Sequence, residues 1–191
     1  MTGVEEARRV LADGGLVVYP TETAYGIGCD ALNQDAVETV YEAKQRPRKK
    51  GLTVICSSLK QVENHASLTG PERRLVERLM PGPLTLVVEP KEHVPGNLNE
   101  SFAFRVSSSE LCRDLASDFP VVGTSANISG HETSYSVGEI SGELLDEADA
   151  ALDRGGLEPS PTSTVAEITD GDIQVHRSGP VSGSDMEEVL R

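Results

Sequence analysis

Short apolar runs alternating with helix-start and helix-stop signals constrain this chain more than any other feature. Runs at 16–19, 52–55, 84–89, 102–106 and 121–123 are three to six residues long and dominated by apolar side chains. Runs of this kind read as buried strands. Helix patterns lie between them. Val4, Ala7, Val10 and Leu11 fall at helical spacing, predicting a helix over 4–13 that Gly14-Gly15 stops. Asn33 is the N-cap of a second helix over 34–44, with Val37, Val40 and Tyr41 as its buried stripe and Gln45-Arg46-Pro47 as its end. Thr69-Gly70-Pro71-Glu72 is a capping box opening a helix that reaches about Met80. A further helix is expected over 111–117. Ser136-Val137-Gly138-Glu139 reads as a second capping box, and a last helix starts at Ser184. Asp170-Gly171 marks a hairpin turn between strands over 164–168 and 173–176. The expected architecture is α/β: a mixed, twisted open sheet with flanking helices, in one domain over 1–191.

Composition narrows the function classes. No stretch approaches the ~20 apolar residues of a membrane span. The acidic N-terminus lacks a basic segment followed by an apolar one, so no signal peptide is expected. Cys29, Cys56 and Cys112 are isolated, which points away from a disulfide framework and toward the cytoplasm. His65, His93, His131 and His176 are scattered without metal-ligand spacing, so no bound metal site is expected from the chain itself. The net charge is −14, a field that repels nucleic acid backbones at long range.

Against that field, five of the seven residues at 44–50 are basic: Lys44, Arg46, Arg48, Lys49 and Lys50. The run reads either as a solvated charge cluster at a helix end or as a local anion site stiffened by Pro47. Arg46 suits two-pronged phosphate binding and Lys44 suits a point charge. Tyr19-Pro20-Thr21-Glu22-Thr23-Ala24-Tyr25-Gly26-Ile27-Gly28 carries hydroxyls, a carboxylate and glycines after a strand, where open α/β sheets bind ligands; an ordinary connection fits equally. Ser125-Ala126-Asn127-Ile128-Ser129-Gly130 follows another strand with small polar side chains, again either a ligand loop or a cap. Ser163-Thr164 and Arg177-Ser178-Gly179 repeat the pattern. Other motifs fail on context. Gly26-x-Gly28-x-x-Ala31 lacks the helix and the acid that a dinucleotide fold needs, and no P-loop exists. Ser57-Ser58-Leu59-Lys60 has no companion hydrolase motif. What remains suits chemistry done by holding charged substrates in line while cations stabilise phosphate charge, as in nucleotidyl transfer.

Taken in order, these segments, with Pro81-Gly82-Pro83-Leu84-Thr85, Arg105 and Ser163-Thr164-Val165, resemble the YrdC-like family of threonylcarbamoyl-AMP synthases over residues 11–179. The resemblance implies a twisted sheet with a deep, positively charged cavity. It implies synthesis of threonylcarbamoyl-AMP and pyrophosphate from L-threonine, bicarbonate and ATP, with Mg2+ accompanying the nucleotide. It further implies a downstream tRNA threonylcarbamoyl-transferase complex that modifies adenosine 37 of tRNAs, and RNA contact, including double-stranded RNA binding. By position, Thr23, Arg105, Ser125 and Ser163 match the threonine side. Lys44, Arg46, Lys50, Ser101, Asn127, Tyr135 (or its neighbour Ser134) and Arg177 match the ATP side. No side chain matches a covalent catalyst. Gly51 stands where the family usually has proline, which is expected to loosen the basic loop, and Ser107 stands where a proline is usual after Arg105. Ile55 replaces a histidine of longer members, which also carry an extra C-terminal domain. The alternative is an RNA-binding module of the same fold without synthase activity.

Only five of the 17 basic residues are lysines. An acidic, lysine-poor surface is expected of a salt-adapted, halophilic protein. Circular dichroism in dilute buffer should then show sharp loss of folded signal, recovered by molar salt; full stability at low salt would contradict it.

Overall fold

The computed structural model describes residues 3–98 and 101–191. Among these, a smaller sheet holds four strands in the order β8-β2-β1-β9: β1 (Val17–Pro20), β2 (Tyr25–Gly28), β8 (Thr124–Ser125) and β9 (Ala150–Ala151). A larger sheet has the order β11-β10-β5-β6-β3-β7. Its strands are β3 (Thr53–Cys56), β5 (Leu84–Pro90), β6 (Phe102–Val106), β7 (Val121–Val122), β10 (Thr164–Thr169) and β11 (Asp172–Arg177), and β4 (Ala66–Ser67) pairs with β5. Both sheets mix parallel and antiparallel neighbours. Seven α-helices flank them: α1 (Val4–Ala12), α2 (Gln34–Ala43), α3 (Leu59–His65), α4 (Gly70–Leu79), α5 (Glu110–Leu115), α6 (Gly142–Asp146) and α7 (Gly183–Leu190). No helix among the described residues is long and apolar enough to cross a membrane.

Two apolar clusters explain why the central strands lack polar alternation. Val18 of β1 and Val54 and Cys56 of β3 join a large cluster with α2 and α4. Val17, Tyr19 and Ile55 face the other way, onto Ala7 and Leu11 of α1 and Leu115 of α5. Strands buried on both faces must be apolar on both faces. Each fully buried aliphatic side chain contributes roughly 1.5–3 kcal/mol.

The helix ends follow local chemistry. Asn33 Oδ1 accepts from the backbone N–H of Asp35 and Ala36 at the start of α2. Thr69 and Glu72 form the reciprocal capping box of α4. Helix α2 ends in a Schellman turn: Gln45 N–H donates to Glu42 O and Arg46 N–H to Tyr41 O, both at 2.9 Å. Gln45 sits at the left-handed position with φ +49°, which costs a non-glycine residue roughly 1 kcal/mol or more. Asp170 and Gly171 both have positive φ, giving the two-residue hairpin turn between β10 and β11 that their sequence predicts.

Several expectations need correction. Ser136 makes no side-chain cap; residues Val137–Glu139 form a single 3-10 turn, and Glu139 Oε2 instead accepts the Tyr135 N–H at 2.6 Å. The helix that follows, α6, is capped by Ser141. The last helix starts one residue earlier than expected, with Ser182 and Asp185 as its capping box. Ser58, part of the discarded hydrolase motif, is the N-cap of α3. Tyr25–Gly28 is strand β2, not a loop.

The segment 121–125 belongs to both sheets. Val121–Val122 pairs with β3, Thr124–Ser125 pairs with β2, and Gly123 between them donates its N–H to Thr53 O at 2.7 Å. The crossing is tight. Tyr19 Oη donates to Val122 O at 2.9 Å, and a Cβ on Gly28 would lie 1.7 Å from that same oxygen. Gly28→Ala is therefore expected to destabilise the fold by about 3 kcal/mol, read as a lowered midpoint in denaturant unfolding; a midpoint unchanged from wild type would contradict this packing.

Candidate functional site

The crossing segment delivers Ser125 to the rim of a cavity of about 280 Å³. Its other walls come from four places. The turn between β1 and β2 is closed by Thr21, whose Oγ1 donates to Ala24 O at 2.7 Å and accepts from the N–H of Thr23 and Ala24 at 3.2 Å. Thr23 on this turn lines the cavity, with its Oγ1 3.2 Å from Thr21 Oγ1. Arg46 enters from the end of α2, and Arg105 from β6 where it pairs with Ile55 of β3. Ser163 precedes β10 and Arg177 ends β11.

Three guanidiniums, of Arg46, Arg105 and Arg177, share this one cavity, and no carboxylate lines it among the described residues. Arg46 is held by its own loop: Nε donates to Lys50 O at 2.8 Å and Nη2 to Gly51 O at 2.7 Å. These bonds close the loop that Gly51 was expected to loosen. Burial holds the Arg46 guanidinium below the ordinary arginine range. Arg177 bends over Ser163, with Nε 3.0 Å from its carbonyl and Nη2 3.1 Å from its Oγ. Its pKa is lowered first by burial and then by Arg105. Ser163 Oγ also lies 2.9 Å from Thr85 Oγ1 in the core. Gly179 permits the approach, since a Cβ there would sit 2.4 Å from Thr162 O and Thr164 N. Arg105 is 6% exposed and pairs with Glu22, Nη1 to Oε1, at 2.9 Å.

Lys44 takes a different direction from Arg46. It is 1% exposed and does not line the cavity. Its Nζ donates to Asn127 O at 2.6 Å and to Ser125 O, beneath the loop that walls the site. Burial, then Arg46, pushes its pKa down to about 7. Beyond that loop lies a second hollow of about 420 Å³, lined in part by Asn127, Ser134 and Glu139. Asn127 Nδ2 donates to Ile128 O and His131 O at 2.9 Å, while its buried Oδ1 has no partner.

Of the residues singled out from sequence, Thr23, Arg46, Arg105, Ser125, Ser163 and Arg177 meet at the first cavity, and Asn127 lines the second. Lys50 is exposed and lines neither, nor does Tyr135, whose neighbour Ser134 takes that place. Ser101 stands just before β6, outside both linings. Arg48 pairs with Glu38 and stacks 4.5 Å over the Tyr41 ring, away from the cavity. Sequence reasoning missed Thr53, Thr133 and Thr162 as lining residues. Thr162 adjoins Ser163, but nothing local marks the other two.

Comparison with known proteins adds relatives of similar sequence and fold. A putative threonylcarbamoyl-AMP synthase of Methanocaldococcus jannaschii is 32% identical over 179 residues, covering 93% of this chain and 86% of the relative. A threonylcarbamoyl-AMP synthase of Pyrococcus abyssi is 33% identical over 187 residues, 94% of this chain but 55% of its own length. The crystal structure of P. abyssi Sua5 complexed with L-threonine matches all of this chain and 58% of its own, with TM-score 0.88 and 31% identity. The Sua5/YciO/YrdC family model, described as telomere recombination, matches residues 9–179. That span contains every side chain lining the first cavity, and the chain belongs to this family.

Proposed function

We propose that this chain is a threonylcarbamoyl-AMP synthase, joining L-threonine, bicarbonate and ATP. One observation carries the reading: three arginines and a ring of hydroxyls around a cavity without a lining carboxylate. Such a site favours ligands with several negative charges and small polar groups. The likeness to synthases over most of the chain, and to a threonine-bound structure, supports it.

The reaction needs two bond-forming steps. The amine of threonine attacks the carbon of bicarbonate, losing water, and gives a carbamate. A carbamate oxygen then attacks the α-phosphorus of ATP, the bond to the β-phosphate oxygen breaks, and pyrophosphate leaves with the electron pair. Arg105 meets the threonine carboxylate, with Thr23, Ser125 and Ser163 as hydroxyl partners. Arg46 and Arg177 face the phosphates, where charge builds up. At about 280 Å³ the first cavity is smaller than the roughly 300–1,000 Å³ of ordinary ligand pockets. It holds the amino acid and the reacting phosphates, and the nucleoside extends past Asn127 into the second hollow. Lys44, Lys50, Ser101 and Tyr135 stand outside the first cavity's lining, and Lys44 acts, on this reading, through the loop it braces. Among the described residues no group of three or more acidic, histidine or cysteine side chains is placed to hold a metal. Any magnesium would accompany the triphosphate and neutralise part of its charge. The product's consumer is a transferase acting on tRNA in the cytoplasm.

Incubation with ATP, bicarbonate and labelled threonine should yield a labelled adenylate and pyrophosphate, and Arg46→Ala should lower that turnover about 10²-fold with the fold intact. Near-normal turnover in the variant would remove Arg46 from the phosphates.

Lys44 makes a separate prediction about pH. Its folded pKa of about 7 lies below the ordinary 10.5, so between these values the unfolded chain binds the extra proton. Its contribution to stability is lost as pH falls through 7 and grows as pH rises. Denaturant unfolding from pH 7 to about 7.5, a full unit below the ordinary thiol value of about 8.5, should show this rise in the wild type. Lys44→Met should flatten it, and equal slopes would contradict a depressed lysine.

A further inference from the structure

We infer that Glu22 is a positioning residue for Arg105, and that Ser107 fixes Glu22 in turn. The inference rests on Arg105 meeting a substrate carboxylate, as read above, and names what aims it. Glu22 does not line the cavity. It sits behind Arg105 in the turn after β1, with Oε1 2.9 Å from Arg105 Nη1. That contact is an ion pair without aligned hydrogen-bond geometry, because Glu22 Oε1 accepts no hydrogen bond. Arg105 Nε is also buried and without a partner. The guanidinium is therefore held at one end only. The Nε edge, which forms part of the fork that grips a carboxylate in two-pronged fashion, is left unmet by protein.

The other oxygen of Glu22 is fixed more firmly. Ser107 is fully buried, and its Oγ donates to Glu22 Oε2 at 2.6 Å. The direction of that bond follows from a second one. Ser107 Oγ accepts the backbone N–H of Ser109 at 3.1 Å, so its single proton is free to point at Glu22. The Ser107 carbonyl is held in turn by Arg113 Nη1 at 2.6 Å. A relay runs from Arg113 through Ser107 and Glu22 to Arg105, joining α5, β6 and the turn after β1. It serves two ends. A guanidinium only 6% exposed needs an opposite charge nearby, and Arg177 on the same cavity adds like charge that makes the need greater. The counter-charge also lies outside the cavity lining, so it does not compete with an anionic substrate for the face that Arg105 turns to the cavity.

Glu22→Gln is the sharp test. Glutamine keeps the shape and can still accept from Ser107 through its oxygen, but it then turns an N–H toward Arg105. In the full chain, the Arg105 Nε–H resonance in arginine-labelled NMR spectra should be ordered in wild type and markedly less ordered in the variant. Titration should show L-threonine bound roughly tenfold more weakly and ATP within about twofold of wild type. Combining Glu22→Gln with Arg105→Lys should add little beyond Arg105→Lys alone. Ser107→Ala should move the Nε order and threonine affinity in the same direction by less, and it decides the matter should Glu22→Gln not fold. Unchanged Nε order, equal losses for threonine and ATP, or full additivity with Arg105→Lys would each overturn the positioning role. Failure of wild type to make the adenylate overturns the synthase reading alone, since the Nε order still reports on Glu22.

Discussion

The arrangement of the site depends on one buried ammonium. Lys44 ends α2 with almost no exposure, and its Nζ is spent on the carbonyls of Ser125 and Asn127. Taking such a charge out of water costs several kcal/mol unless acceptors surround it. Here the acceptors belong to the loop that forms the wall between two hollows. The backbone adds to the tie, because Ser129 N–H donates to Lys44 O at 2.9 Å. Helix, loop and both hollows are thereby fixed to one another, and the crossing segment 121–125 arrives at a wall that is already anchored.

Charge is distributed by role rather than by sequence neighbourhood. The chain carries 31 acidic residues, and several surface arginines are taken up by them: Arg8 with Glu5 and Asp118, Arg73 with Glu63 and Glu77, Arg48 with Glu38. Exposed pairs of this sort are worth little individually. Their effect is to keep those arginines occupied at the surface. The basic run at 44–50, which looks uniform as a string, divides into an inward lysine, a cavity arginine, a surface arginine stacked on Tyr41, and two exposed lysines.

How far this was legible in the sequence varied with the range of the interaction. β1 and β3 were readable because both faces are buried and, apart from Thr53 at the cavity, their side chains are apolar. Asn33, Thr69 with Glu72, and Asp170-Gly171 were readable because capping and turn chemistry is local. β2 was not, since its glycines are there for the close pass of residues 122–124, nearly a hundred positions away. β8 and β9 have two residues each and leave no period to detect. Ser57 looked like half of a catalytic motif and only precedes the Ser58 cap of α3. At the site, Arg46 and the segments carrying Thr23, Ser125, Ser163 and Arg177 stood out by residue type and place in the chain, while Arg105 was added by the family resemblance. That Lys44 turns beneath the loop, and that Ser107 reaches Glu22 across 85 positions, follows only from the fold. A serine where relatives were expected to carry proline read as a loss; in place it supplies a hydroxyl donor.

The left-handed turn at Gln45 has a geometric consequence. Had α2 continued, residues two apart would point to nearly opposite sides of one cylinder. Reversing the backbone at Gln45 instead leaves Lys44 under the 125–127 loop and Arg46 on the wall of the first cavity. A single spacer is the whole hinge. The distance in sequence between the two charges is thus itself a structural dimension of the cavity.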